Sequence, residues 1–147
     1  AISADHLLKT SDEGLKNLVD SGVIACLLPA TALILGEPPA RARDMIDLGV
    51  PVASSTDCNP GSSPTTSMPL VMNLACITMR MTPAETLCAA TYNAACALGM
   101  EDKIGSLEVG KQADFVIWNV SNYQKLHYMF GVNHVHQVWK NGMKVVG

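Results

Sequence analysis

VPVASSTDCNPGSSP, residues 50–64, joins an apolar run that favours a strand to a turn dense in proline, glycine and hydroxyl groups. The valines and alanine of its first half suit a pleated, buried surface, and Asp57 stands where that strand ends. Two further apolar runs lie upstream. VIACLLP (23–29) has no polar alternation, as expected of a strand covered on both faces. Residues 1–7 form a shorter run that ends near Asp5 and His6. Helical patterns separate the three. Thr10-Ser11-Asp12-Glu13 reads as a capping box ahead of Leu15, Leu18 and Val19, with Gly22 as the stop. Pro38-Pro39 open a second helix through Met45, Ile46 and Leu48 to Gly49. Strand, helix, strand, helix, strand at this spacing predicts right-handed βαβ units and a parallel sheet. A TIM-type barrel uses about 30 residues per unit. The fold class read here is α/β, and this stretch has the spacing to supply the last three βα units, with extra helices, of the C-terminal part of a (β/α)8 barrel.

Helices are predicted at 67–80 and 83–98. The second carries Thr82 as its cap, Pro83 in the first turn, Glu85 completing a capping box and Gly99 as terminator. Its many alanines call for a closely packed neighbour. Beyond Gly99 the pattern turns to β. Phe115–Trp118 and HVHQVWKNGMKVVG (134–147) read as strands, and Asn141-Gly142 is a strong hairpin signal. A short helical or loop segment is expected near 121–131. Residues 1–98 are thus assigned to the barrel section and 99–147 to part of a small β-sandwich domain, with too few strands for a core of its own.

The 147 residues carry 48% hydrophobic and 16% charged side chains, a globular composition. A net charge of −3 offers no basic field for a phosphate backbone, so no nucleic-acid partner is expected. Apolar runs break well before the ~18 residues of a membrane span, and no membrane association is expected. The five cysteines, 26, 58, 76, 88 and 96, form no CxxC pair, which points to free thiols and a reducing, cytoplasmic setting. The chain opens Ala-Ile-Ser-Ala-Asp-His without an initiator methionine and is read as part of a longer one.

Catalytic groups of parallel α/β barrels sit at the C-terminal ends of strands. His6 and Asp57 both fall there, two βα units apart. A carboxylate can ligate a metal or take a proton, and an imidazole can ligate or polarise a carbonyl. From the residues alone, the commoner reading of such a pair is Asp57 as an Asx-turn or helix-capping acid and His6 as a capped surface residue. His134-Val135-His136 is a second candidate, since alternate residues of a strand share a face. It lies in the β-rich tail with no acid nearby, and is read as structural or interfacial. His127 and the methionines at 68, 72, 79 and 81 are read as packing residues.

SADHL, TSDEG, LLPATA, RARDMIDLGVPVASSTDCNPGSSP, GSLEVGKQADFVIW and YMFGVNHVHQVWKNG together resemble the C-terminal part of the imidazolonepropionase family, metal-dependent amidohydrolases of histidine degradation. GSLEVGKQADFVIW is shared by many amidohydrolases. SADH combined with TDCNPGSSP is more specific, although Cys58 stands where that family usually has phenylalanine. The resemblance implies that Asp57 ligates Zn²⁺ or Fe and takes a proton from the attacking water. It places His6 near substrate and water without ligating. It makes Asn59, Gly61 and Ser62 a pocket wall for a propionate, in keeping with turn N–H groups that favour anions. The implied substrate is 4-imidazolone-5-propanoate, opened to N-formimidoyl-L-glutamate. The remaining ligands, an HxH pair and a further histidine, and an arginine for the substrate carboxylate would precede Ala1. This chain alone would then be inactive, and the longer protein a homodimer. Two other readings stand beside it: a cytosine- or guanine-deaminase relative, and a non-catalytic folding or interface module.

Overall fold

A computed structural model describes all of Ala1–Gly147. Strands β1 (Ser3–Asp5), β2 (Ile24–Leu27) and β3 (Val52–Ser54) lie side by side in that order, all parallel. Asp5, Cys26 and Ala53 form one registered row, with Ala4, Ala25 and Val52 in the row before. Side chains alternate between faces, so Ala25, Leu27 and Val52 project together. They meet Leu15 and Leu18 of α1 (Asp12–Ser21), Met45 of α3 (Ala42–Asp47), and Ala75 and Met79 of α4 (Met68–Met79) in one buried cluster. This packing of helices onto the sheet supplies most of the apolar burial.

Several helix boundaries differ from the sequence reading. The cap of α1 is Ser11, whose Oγ accepts from the Gly14 N–H at 3.1 Å. Thr10 instead donates its hydroxyl to the Leu7 carbonyl, closing the turn after β1. A helix absent from the reading, α2 (Pro29–Leu35), follows β2 almost directly. Its first turn has a proline and no polar side-chain cap, so the apolar run conceals where strand gives way to helix. Pro38 and Pro39 lie outside α3, which is capped at Arg41. The predicted 83–98 helix is two, α5 (Pro83–Ala90) and α6 (Tyr92–Ala97), broken at Thr91, whose φ and ψ of −125° and −90° are not helical.

The Thr82–Glu85 capping box is present in full. The alanines of α6 admit a close neighbour at Gly105. A Cβ there would stand 2.6 Å from that of Ala95, and its φ of +90° also requires glycine. In the last third, β4 (Phe115–Trp118), β5 (Val135–Lys140) and β6 (Met143–Val146) form an antiparallel sheet in chain order. Asn141 and Gly142, both at positive φ, make the two-residue turn of the β5–β6 hairpin. Phe115 stacks on Trp139 across β4 and β5, with ring centroids 5.5 Å apart. A single turn, α7 (Lys125–Tyr128), docks on α4 and buries Leu126.

Candidate active site

β1 and β3 flank β2 and end at the same edge of the parallel sheet, which brings His6 and Asp57 together. Neither follows its strand in extended form. His6, Leu7 and Asp57 adopt φ of +65°, +56° and +48°. Left-handed backbone at non-glycine residues costs energy and gathers at functional sites. The His6 N–H still donates to the Cys26 carbonyl at 3.0 Å, so the ring is launched from the end of the sheet. Its Nε2 lies 4.0 Å from Asp57 Oδ2, with about half the His6 side chain exposed. That Oδ2 also accepts the hydroxyl of Thr31, in α2, at 2.8 Å. Asp57 Oδ1 makes no hydrogen bond within the chain.

The carboxylates affect a third group. Cys26, on the strand between them, has its thiol pKa pushed up to about 11 by burial, reinforced by Asp5 and Asp57. It stays protonated at neutral pH and is no nucleophile. None of the five cysteines is disulfide-bonded.

Asn59 organises the turn after Asp57. Its Nδ2 donates to the Asp57 carbonyl at 2.7 Å. Its Oδ1 accepts from the Gly61 and Ser62 amides at 2.9 and 2.8 Å. The Ser62 hydroxyl stays within 3.1–3.3 Å of the same carboxamide. Asn59 and Ser63 close the loop with paired backbone hydrogen bonds. The turn N–H groups assigned to an anion from sequence are therefore already satisfied by the asparagine side chain, a local Asx arrangement. The loop shapes a wall beside Asp57 rather than a nest of free donors.

No three metal-binding side chains cluster in this chain. His134 falls just before β5, with Nε2 buried and without a hydrogen-bond partner, while His136 on the strand is exposed. His127 is engaged elsewhere, its Nε2 2.7 Å from the buried Thr86 hydroxyl. The sequence reading missed Thr31 altogether. Its only signal is a hydroxyl four residues after the end of β2 at Leu27, with nothing to connect it to a partner 26 residues away.

The amidohydrolase family model matches residues 3–145. The chain belongs to the amidohydrolase family. It is 61% identical over 146 residues to the imidazolonepropionase of Geobacillus thermodenitrificans strain NG80-2, covering 99% of this chain and 34% of that protein. The imidazolonepropionase of Bacteroides thetaiotaomicron is 54% identical over 143 residues, with 97% of this chain and 34% of that protein covered. The chain thus spans about a third of the length of these curated relatives.

Solved structures agree on the fold. An adenosine deaminase from Xanthomonas campestris with bound zinc superposes with a TM-score of 0.89 at 28% identity, over 98% of this chain and 36% of that one. Atrazine chlorohydrolase from Arthrobacter aurescens, complexed with zinc, gives 0.88 at 25% identity over the same shares. The E. coli guanine deaminase, at 21% identity and a TM-score of 0.82, speaks for the fold alone. This amidohydrolase chain is a mixed α/β structure with one parallel and one antiparallel sheet.

Proposed function

We propose that this chain is the C-terminal third of an imidazolonepropionase, which hydrolyses 4-imidazolone-5-propanoate to N-formimidoyl-L-glutamate. The observation that carries the reading is the pairing of His6 and Asp57 at one edge of the parallel sheet, in a chain matched along its whole length by imidazolonepropionases. The three βα units are the last of a TIM-type barrel, and the free edges of β1 and β3 are where its other strands pair. Residues 99–147 are half of a small β domain. Strands from the rest of the protein cover the apolar groove between α5, α6 and β4, which Leu87, Leu98, Leu107, Phe115 and Trp118 help line.

The donor set fits a metal only in part. Metal sites of hydrolases have three or four protein ligands, and here a single carboxylate is oriented for the task. Asp57 is the ligand from this chain, and the rest belong to the remainder of the protein. Carboxylate and imidazole donors suit Zn²⁺ and Fe alike, and the zinc-bound neighbours favour Zn²⁺. When bound, the ion lowers the pKa of water toward ~7 and polarises the scissile carbonyl. Asp57 accepts the proton of the attacking water and returns it to the ring nitrogen as the C–N bond breaks. His6 stands beside it to hydrogen-bond substrate and water. Asn59, Gly61 and Ser62 wall the site on the propionate side through the shape of their loop. The protein acts in the cytoplasm as a homodimer on this reading.

The solved deaminases make a deaminase relative the alternative. Full-length enzyme should open imidazolone propanoate, lose activity to a chelator and leave guanine and adenosine untouched. Deamination of either nucleobase compound without imidazolone hydrolysis would establish the alternative.

A further inference from the structure

The carboxylate of Asp57 receives one side-chain hydrogen bond from this chain, and it comes from an unusual donor. Thr31 is the third residue of α2 and only 1% exposed. A helical threonine commonly turns its hydroxyl back to a carbonyl of the preceding turn. Thr31 instead donates across the end of the sheet to Asp57 Oδ2 at 2.8 Å, and makes no other side-chain hydrogen bond. Its position is well determined. β2 ends at Leu27, Leu28 is the helix cap and Pro29 starts α2, so no loop separates the strand from the threonine. Branching at Cβ further restricts the hydroxyl to few rotamers. Asp57, by contrast, sits on a left-handed residue in the loop after β3, with about a third of its side chain exposed and the Thr31 hydroxyl as its one side-chain hydrogen-bond donor.

We infer that Thr31 is a positioning residue for Asp57: it anchors Oδ2 to the rigid β2–α2 junction and so presents Oδ1 to the reacting centre. The inference rests on the reading of Asp57 as ligand and proton acceptor. Partners that orient a ligating carboxylate typically change metal affinity or activity 10–100-fold when removed. Valine is the informative replacement, having the shape of threonine without its hydroxyl.

In full-length enzyme, Thr31→Val should lower kcat about 10–100-fold with little change in KM, and should speed metal release to a chelator by a similar factor. Thr31→Ser, which keeps the hydroxyl, should restore both to within about threefold of wild type. A crystal structure of metal-free Thr31→Val should show the Asp57 carboxylate rotated from its wild-type orientation. Thr31→Ala gives the same contrast with serine should the valine variant not fold. Wild-type kcat and metal retention in the valine variant would overturn the inference. Equal impairment of serine and valine variants would also do so, by making the role one of packing. If wild-type enzyme failed to hydrolyse imidazolone propanoate, the functional reading would fall separately, while metal release and the Asp57 orientation would still report on Thr31.

Discussion

Glu85 ties together two helices that carry the sheet. Its Oε2 and Oε1 accept from Arg43 Nη1 and Nη2 at 3.0 and 2.8 Å, joining α5 to α3. The same Oε2 accepts the Thr82 N–H at 2.7 Å and closes the capping box. Glu85→Gln keeps the shape and one acceptor for the cap, but it removes the charge and turns an NH₂ toward the guanidinium. A charge-assisted hydrogen bond is worth about 1.5–3 kcal/mol, reduced by the partial solvent access of both side chains. The expected loss for Glu85→Gln is therefore about 1–2 kcal/mol at pH 7. The Arg43 fork holds the Glu85 carboxyl at about 2, against an ordinary 4.5. A depressed carboxyl stabilises the fold fully above its unfolded pKa and loses that contribution as pH falls through the folded value. The wild-type advantage should thus be constant above pH 4.5 and shrink between 4.5 and 2. Urea midpoints of both forms at pH 7 and pH 3 measure it. Equal midpoints at pH 7, or a gap undiminished at pH 3, would refute the assignment.

Three further substitutions test the remaining packing. Gly105→Ala forces a Cβ to 2.6 Å from Ala95 on left-handed backbone, and should cost about 2 kcal/mol or more in a thermal or urea melt. Thr86→Val removes the hydrogen-bond partner of His127 and should cost about 1–2 kcal/mol, with faster amide exchange across residues 123–129. Unchanged exchange there would show that α7 is held by Leu126 alone. Burial pushes the His127 imidazole below its usual 6.5, so its contribution is present above that pH and is lost on acidification. Protection factors in the same segment, which correct for the intrinsic pH dependence of exchange, should fall below pH 6.5 in wild type, and the fall should disappear in His127→Phe.

The βαβ rhythm was legible because each apolar run is local, although the caps of α1 and α3 fall at Ser11 and Arg41 instead of Thr10 and Pro38-Pro39. β1, β2, β3, the Thr82–Glu85 box and the Asn141-Gly142 hairpin all follow from residues within a few positions of one another. His6 directly follows β1, where the apolar run stops, whereas Asp57 lies three residues beyond the end of β3 at Ser54, because the hydroxyl residues before it already leave the sheet. What escaped was decided elsewhere. α2 lies inside an apolar run with no polar cap to mark its start. The break at Thr91 arises where the threonine hydroxyl returns to the Leu87 carbonyl and the chain redirects α6 against Gly105. The Thr31–Asp57 bond joins residues 26 apart and exists only because β2 and β3 are neighbours. The donors of Gly61 and Ser62 looked free because a sequence does not show that Asn59 turns its carboxamide back onto them.

The most direct measurement is metal content and turnover, on one preparation, of full-length enzyme with Asp57 intact or replaced by alanine. With Asp57 present, bound metal and hydrolysis of imidazolone propanoate are both expected; in Asp57→Ala both should fall together. An alanine variant that kept its metal and hydrolysed the substrate at the wild-type rate would contradict the role given to the aspartate in the loop after β3.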